Sequence, residues 1–166
     1  MVAISDGAEW IWNLADQYFP GAVQIVDLFH ARQHLWDLAR KLHLNQQAEQ
    51  RRWMMVHQDI LDGGKIEDLV TAIRSIDSSS SELVETIRIE SGFFEKHAER
   101  MRYPEFRRRG LFVGSGVIEA GCKTLIGSRC KQSGMFWTVR GANAILALRC
   151  CQFNGRFEDY WETRRA

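Results

Sequence analysis

A chain of 166 residues that is 45% hydrophobic and 26% charged, with 2 Pro and 13 Gly, has the composition of a soluble globular domain and is not a disordered tail. No run approaches the roughly 20 consecutive apolar residues of a membrane span, and MVAISDGAEW lacks the basic start and small-residue cleavage site of a signal peptide, so no membrane association is expected and the expected location is cytoplasmic. The net charge of +1 conceals a gradient: residues 1–30 hold four acids and no Lys or Arg, whereas residues 99–149 hold ten bases against three acids.

MVAIS is a short apolar run ending at Asp6-Gly7, and AVQIVD at 22–27 is a second, β-branched run introduced by Pro20-Gly21. Both read as strands. Between them Ala8, Ile11, Trp12, Leu14, Ala15 and Phe19 recur at helical spacing, which predicts a helix over 7–19 and a β-α-β unit with parallel strands. After His30 the pattern is helical over 31–43, 45–61, 65–76 and 81–99, with breaks at Gly63-Gly64 and at the serine run 78–81. Pro104 and the RRRG run predict a loop. GSG at 114–116 opens a helix reaching about 130, QSGM at 132–135 breaks it, 138–152 forms another helix, and FEDYW suggests a last one. The fold class expected is α/β turning mostly α-helical. Two strands rarely stand alone, so further strands are expected upstream.

Asp6 stands at the carboxyl end of the first strand, where open α/β sheets place ligand and catalytic groups. Asp6-Gly7-Ala8-Glu9 also has the spacing of a capping box, with Asp6 capping the helix and Glu9 reaching back. Asp27 and His30 close the second strand as D-L-F-H, with His30 hydrogen-bonded to Asp27 as the structural alternative to a site role. HARQH at 30–34 places two histidines one turn apart but lacks the glutamate of a zinc-protease helix. Glu119 lies early in a helix, where a carboxylate suits the dipole. It misses the capping-box spacing from Ser115 and has Lys123 at i+4 for an ordinary ion pair.

Arg100, Arg102, Arg107, Arg108, Arg109, Lys123, Arg129, Lys131, Arg140 and Arg149 make up the basic stretch. Such a cluster is the electrostatic footprint of phosphate binding, or else a solvated helix face paired with acids. Trp137 and Phe136 are candidates for stacking on bases, with core packing as the alternative. Cys122, Cys130, Cys150 and Cys151 match neither a zinc spacing nor a disulfide framework and read as reduced thiols on helices.

SDGAEWIW, VDLFHARQHLWDLARKL and GSGVIEAGCKTLIGSRCKQSGMFWTVRGANAILALR together resemble the C-terminal half of bacterial insertion-sequence DDE transposases of the ISKra group, a likeness that covers nearly the whole chain. The resemblance implies an RNase-H-like core interrupted by an all-helical insertion. It divides the chain into a partial core at 1–30 with two parallel strands, a helical insertion at 31–110, and C-terminal core helices at 111–166. It implies that Asp6 and Glu119 are the second and third acidic residues, catalytic and ligating Mg2+ (or Mn2+), and that Asp27 and His30 support the site as an Asp-x-x-His signature. Arg107, Arg108, Arg109, Lys123, Arg129, Lys131, Arg140 and Trp137 would form the DNA track. The partners implied are transposon ends, target DNA and further copies of the same chain.

The first aspartate of the family pattern has no counterpart in the chain, so the resemblance implies a truncated transposase, inactive alone. The competing reading is a non-catalytic helical DNA-binding or interaction protein, in which Asp6 caps a helix and Glu119 pairs with Lys123. An unrelated small α/β enzyme finds no phosphate loop, nucleophile elbow or dinucleotide fingerprint.

Overall fold

The two apolar runs form β1 (Val2–Ser5) and β2 (Val23–Val26), paired in parallel with Val2 opposite Val23 and Ser5 opposite Val26. In this computed structural model, which describes residues 1–165, the chain forms two units, Met1–Ser115 and Gly116–Ala166. The crossover helix α1 (Glu9–Tyr18) buries Trp12 and Ala15, completing the expected β-α-β unit. It starts later than the periodicity predicts. Gly7 takes φ +100 and Ala8 is extended, so a turn occupies the positions between strand and helix.

The rest of the first unit is helical, as predicted. Helix α2 (Leu28–Leu42) follows β2 directly, then α3 (Gln47–Asp62), α4 (Ile66–Arg74) and α5 (Ser81–Lys96), whose first turn is capped by the Ser80 hydroxyl accepting from the Leu83 N–H. A 3-10 turn at Ala98–Met101 leads into α6 (Tyr103–Arg108). This short helix stands where a loop was expected. Pro104 lies in its first turn, where a missing N–H leaves no hydrogen bond unmade, and Arg107 and Arg108 sit in its last turn, where the helix dipole favours cations. Burial of Tyr103 and Phe106 holds it in place, and the Tyr103 hydroxyl donates to the Val26 carbonyl at 3.1 Å.

One core runs through this unit. Ile25 and Val26 of β2 are enclosed together with Leu35 and Leu38 of α2, Leu61 of α3, Leu69 and Ile73 of α4 and Phe94 of α5. The β-α-β segment and the helices that follow it are therefore packed as one body.

In the second unit α7 (Gly116–Gly121), a π-helical turn (Cys122–Gly127) and α8 (Ser128–Cys130) make the continuous helical run predicted to reach about 130. The break at 132–135 is present, with Gly134 at φ +75, and is followed by α9 (Val139–Phe153), capped by Thr138, and α10 (Phe157–Arg165). Arg149 of α9 donates to the carbonyls of Leu125 at 2.8 Å and Thr124 at 2.7 Å, bracing the π turn. The four cysteines are free thiols on these helical segments. Among the described residues of this unit no side chain is buried. No helix among the described residues is long and apolar enough to cross a membrane.

Candidate functional site

The parallel register sets Asp6 and Asp27 at adjacent strand ends, and the Asp27 N–H donates to the Ser5 carbonyl at 2.7 Å. Asp6 is exposed. Its Oδ1 accepts from the Ala8 N–H at 3.0 Å and from the Ser5 hydroxyl at 3.1 Å. The Ala8 N–H, then the Ser5 hydroxyl and the nearby His30 charge, hold the carboxyl below its ordinary value against a partial opposing effect of burial. Asp6 is therefore an ionised, accessible carboxylate at neutral pH. The capping box does not form: Ala8 occupies the N-cap of α1, and Glu9 pairs instead with Lys96 at 3.1 Å. The positive φ at Gly7 turns Asp6 off the helix axis, and its oxygen closes only the short loop to Ala8.

Asp27 is buried and does two structural jobs. Its Oδ1 caps α2 by accepting from the N–H groups of Phe29 at 2.8 Å and His30 at 3.0 Å. Its other oxygen accepts from the Ser115 N–H at 2.5 Å, while the Leu28 N–H donates to the Val113 carbonyl at 2.9 Å. The VGS segment is thus pinned to the start of α2. A Cβ at Gly114 would come within 2.9 Å of the Phe29 ring, so a larger residue there would have to displace that exposed side chain.

The bond between Asp27 and His30 runs through the His30 backbone and leaves the imidazole to other partners. That ring meets His34 edge-on, with centroids 5.2 Å apart. His34 Nδ1 pairs with Glu90 Oε2 at 2.8 Å, and its ring stacks on Phe93 at 3.9 Å. Glu90 and Phe93 on α5 and His97 at its C-cap recur at i, i+3 and i+7, so this face of the helix closes over the turn that follows β1. A Cβ at Gly7 would lie 2.8 Å from Phe93 Cε2, which leaves glycine as the residue that lets α5 sit this close. His97 is 3% exposed, and burial together with the neighbouring Arg100 and Lys96 pushes its imidazole down to about 4.

Glu90 and His97 were not evident as site neighbours in the sequence, because nothing local in α5 says which helix it packs against. His34 was visible only as the second half of HARQH.

Glu119 lies exposed in the first turn of α7, in the second unit. The same unit carries Lys123, Lys131 and Arg140, all exposed, and Arg129, whose guanidinium lies 5.1 Å from the centre of the Trp137 ring. Arg107, Arg108 and Arg109 are exposed at the end of α6, with Arg109 reaching Glu105 at 3.4 Å. Three other bases of the stretch have internal duties. Arg100 donates to the Gln24 side chain at 2.8 Å and lies over Trp12, Arg102 joins Glu67, Glu99 and the Gly64 carbonyl, and Arg149 braces the π turn. The first unit therefore gathers Asp6, Asp27 and His30, and the second holds Glu119 with the later cations. Among the described residues no group of three or more His, Cys, Asp or Glu side chains converges as a metal site.

No family model matches the chain, and no solved structure matches it. The chain is similar to a Streptococcus gallolyticus protein described as "UPF0236 protein in vanSb 3'region", with 29% identity over 108 residues. That stretch covers 64% of this chain and 24% of the relative, so the chain spans about a quarter of the length of the curated protein it resembles.

Proposed function

We propose that this chain acts on DNA as part of a DDE-type transposase, with Asp6 and Glu119 as its metal-directed carboxylates and the exposed cations of residues 107–140 as its DNA track. The observation that carries this reading is the pair Asp6 and Asp27 at adjacent carboxyl ends of parallel strands, the edge at which α/β sheets present their chemistry. The division of labour follows from the contacts. Asp6 offers an ionised carboxylate, whereas Asp27 spends both oxygens on backbone N–H groups and so acts by holding the start of α2 and the VGS segment. Asp6 and Glu119 are the carboxylates that would hold a Mg2+, which would supply charge to polarise a phosphodiester. The described residues do not by themselves make a complete site for it, since no group of three or more His, Cys, Asp or Glu side chains converges among them.

The exposed Arg107, Arg108 and Arg109 support a second reading, a DNA-binding protein without catalysis of its own. One titration separates the two. Affinity for a labelled duplex, followed by fluorescence anisotropy across a salt series, is expected to fall steeply with salt, and Arg107→Ala/Arg108→Ala/Arg109→Ala is expected to lower the log–log slope by about two to three. Absence of binding at low salt overturns both readings. A gain in affinity with Mg2+ or Mn2+ that Asp6→Asn or Glu119→Gln removes supports the transposase reading. Binding indifferent to metal favours the second.

A further inference from the structure

The loop between α8 and α9 is held at both sides of a single residue. Before it, the Arg129 guanidinium donates to Met135 Sδ at 3.5 Å, and the Met135 N–H donates to the Gln132 carbonyl at 3.3 Å in a turn that needs the positive φ of Gly134. After it, Trp137 carries the Arg129 guanidinium on its ring at 5.1 Å and lies over Gly141, where a Cβ would stand 3.8 Å from the indole. Thr138 then caps α9 by accepting from the Gly141 N–H at 3.1 Å. Between these anchors Phe136 is 98% exposed, while Trp137 is 36% exposed. One cation thus fixes the residues on both sides of an aromatic ring that touches almost nothing. Lys131 and Arg140, both exposed, flank the loop in sequence, and Arg129 is the cation in contact with the residues on either side of the ring.

We infer that Phe136 is a stacking platform for an unpaired nucleobase of DNA, with the Arg129–Trp137 pair as the device that presents it. An exposed planar apolar ring on a loop braced by a guanidinium suits a ligand that joins an aromatic face to an anionic backbone, and a single nucleotide strand does so at every position. In an intact duplex the base faces are covered, so the ring adds to binding only where a base is unstacked. The cation–π contact gives Trp137 a positional role and leaves Phe136 to meet the base. This inference rests on the DNA reading above and deepens it by naming the form of DNA recognised.

The test uses the full chain with a labelled single-stranded oligonucleotide, a duplex of the same sequence, and a single strand carrying 2-aminopurine. Phe136→Ala is expected to weaken single-strand affinity by about tenfold, to abolish 2-aminopurine quenching and to leave duplex affinity and the salt slope unchanged. Phe136→Trp is expected to restore both losses. The ring has no packing role, so neither variant should alter the circular dichroism. Unchanged single-strand affinity in Phe136→Ala overturns the inference while duplex binding by the wild type leaves the DNA reading standing. Failure of the wild type to bind either DNA overturns both. A change in sedimentation from dimer to monomer in Phe136→Ala, with affinity for the oligonucleotide unchanged, would mean that the ring covers a second copy of the chain and also overturns the inference.

Discussion

His97 is enclosed by Trp12, Phe93 and the turn at Gly7, and it stays neutral because a charged imidazole there would lose its hydration beside Arg100 and Lys96. Glu9 acts in the opposite sense but is a smaller influence. The folded value of about 4 lies below the ordinary 6.5, so between these limits the unfolded chain binds more protons than the folded one. Stability is therefore complete above about pH 6.5 and is lost as the pH falls toward 4, by up to about 3 kcal/mol from this residue. Urea denaturation at pH 7 and at pH 4.5 should show the loss, and His97→Leu should flatten the difference. A slope that persists unchanged in the variant would assign the acid sensitivity to other groups. None of this was legible from the sequence, where His97 is one polar residue near the end of a helical run and its burial depends on Trp12 of α1 and the turn at Gly7.

Among the elements, α2 shows how local and distant information combine. Its cap was available in the residues, since Asp followed by two apolar positions is a good helix start, yet periodicity alone places the beginning at 31 and the structure places it at Leu28. The bond from Ser115 to the same carboxylate spans 88 positions and has no local signal. Asp27→Ala should cost about 1–2 kcal/mol through the cap alone. It should also raise hydrogen exchange at the Phe29, His30 and Ser115 amides together, because one side chain holds both the helix start and the VGS segment. Faster exchange at the helix start without a change at Ser115 would show that the segment is held by its Val113 contact instead. Helix α6 makes the same point from the other side. RRRG and Pro104 look like a loop in isolation, and only the burial of Tyr103 and Phe106 makes a helix there favourable.

At the level of the whole molecule, the two units differ in what supports them. The first encloses a continuous apolar cluster, whereas the described residues of the second include no buried side chain, and its helices are joined by caps, turns and the Arg149 contacts. Protection from exchange should therefore approach the global unfolding limit at amides of α2, α4 and α5 and be lower by orders of magnitude in α7 to α9, since opening the latter exposes little enclosed apolar surface. Equal protection in both units, measured by mass spectrometry over minutes to hours, would show that the second unit is stabilised by contacts beyond its own helices.

The residues alone determined the β-α-β start, its parallel pairing, the helical remainder, the break at 132–135 and the state of the thiols, because each depends on short-range periodicity, backbone stereochemistry or spacing. Only the tertiary structure decided that Asp6 is not a helix cap, that Asp27 is a double anchor, that His34 pairs with a glutamate 56 positions away, and that Arg100, Arg102 and Arg149 serve internal contacts while other cations of the basic stretch face solvent. The physical reason is that a side chain's partner depends on which helix faces pack together. That choice is made by the sum of many apolar contacts across the chain, and no window of a few residues records it.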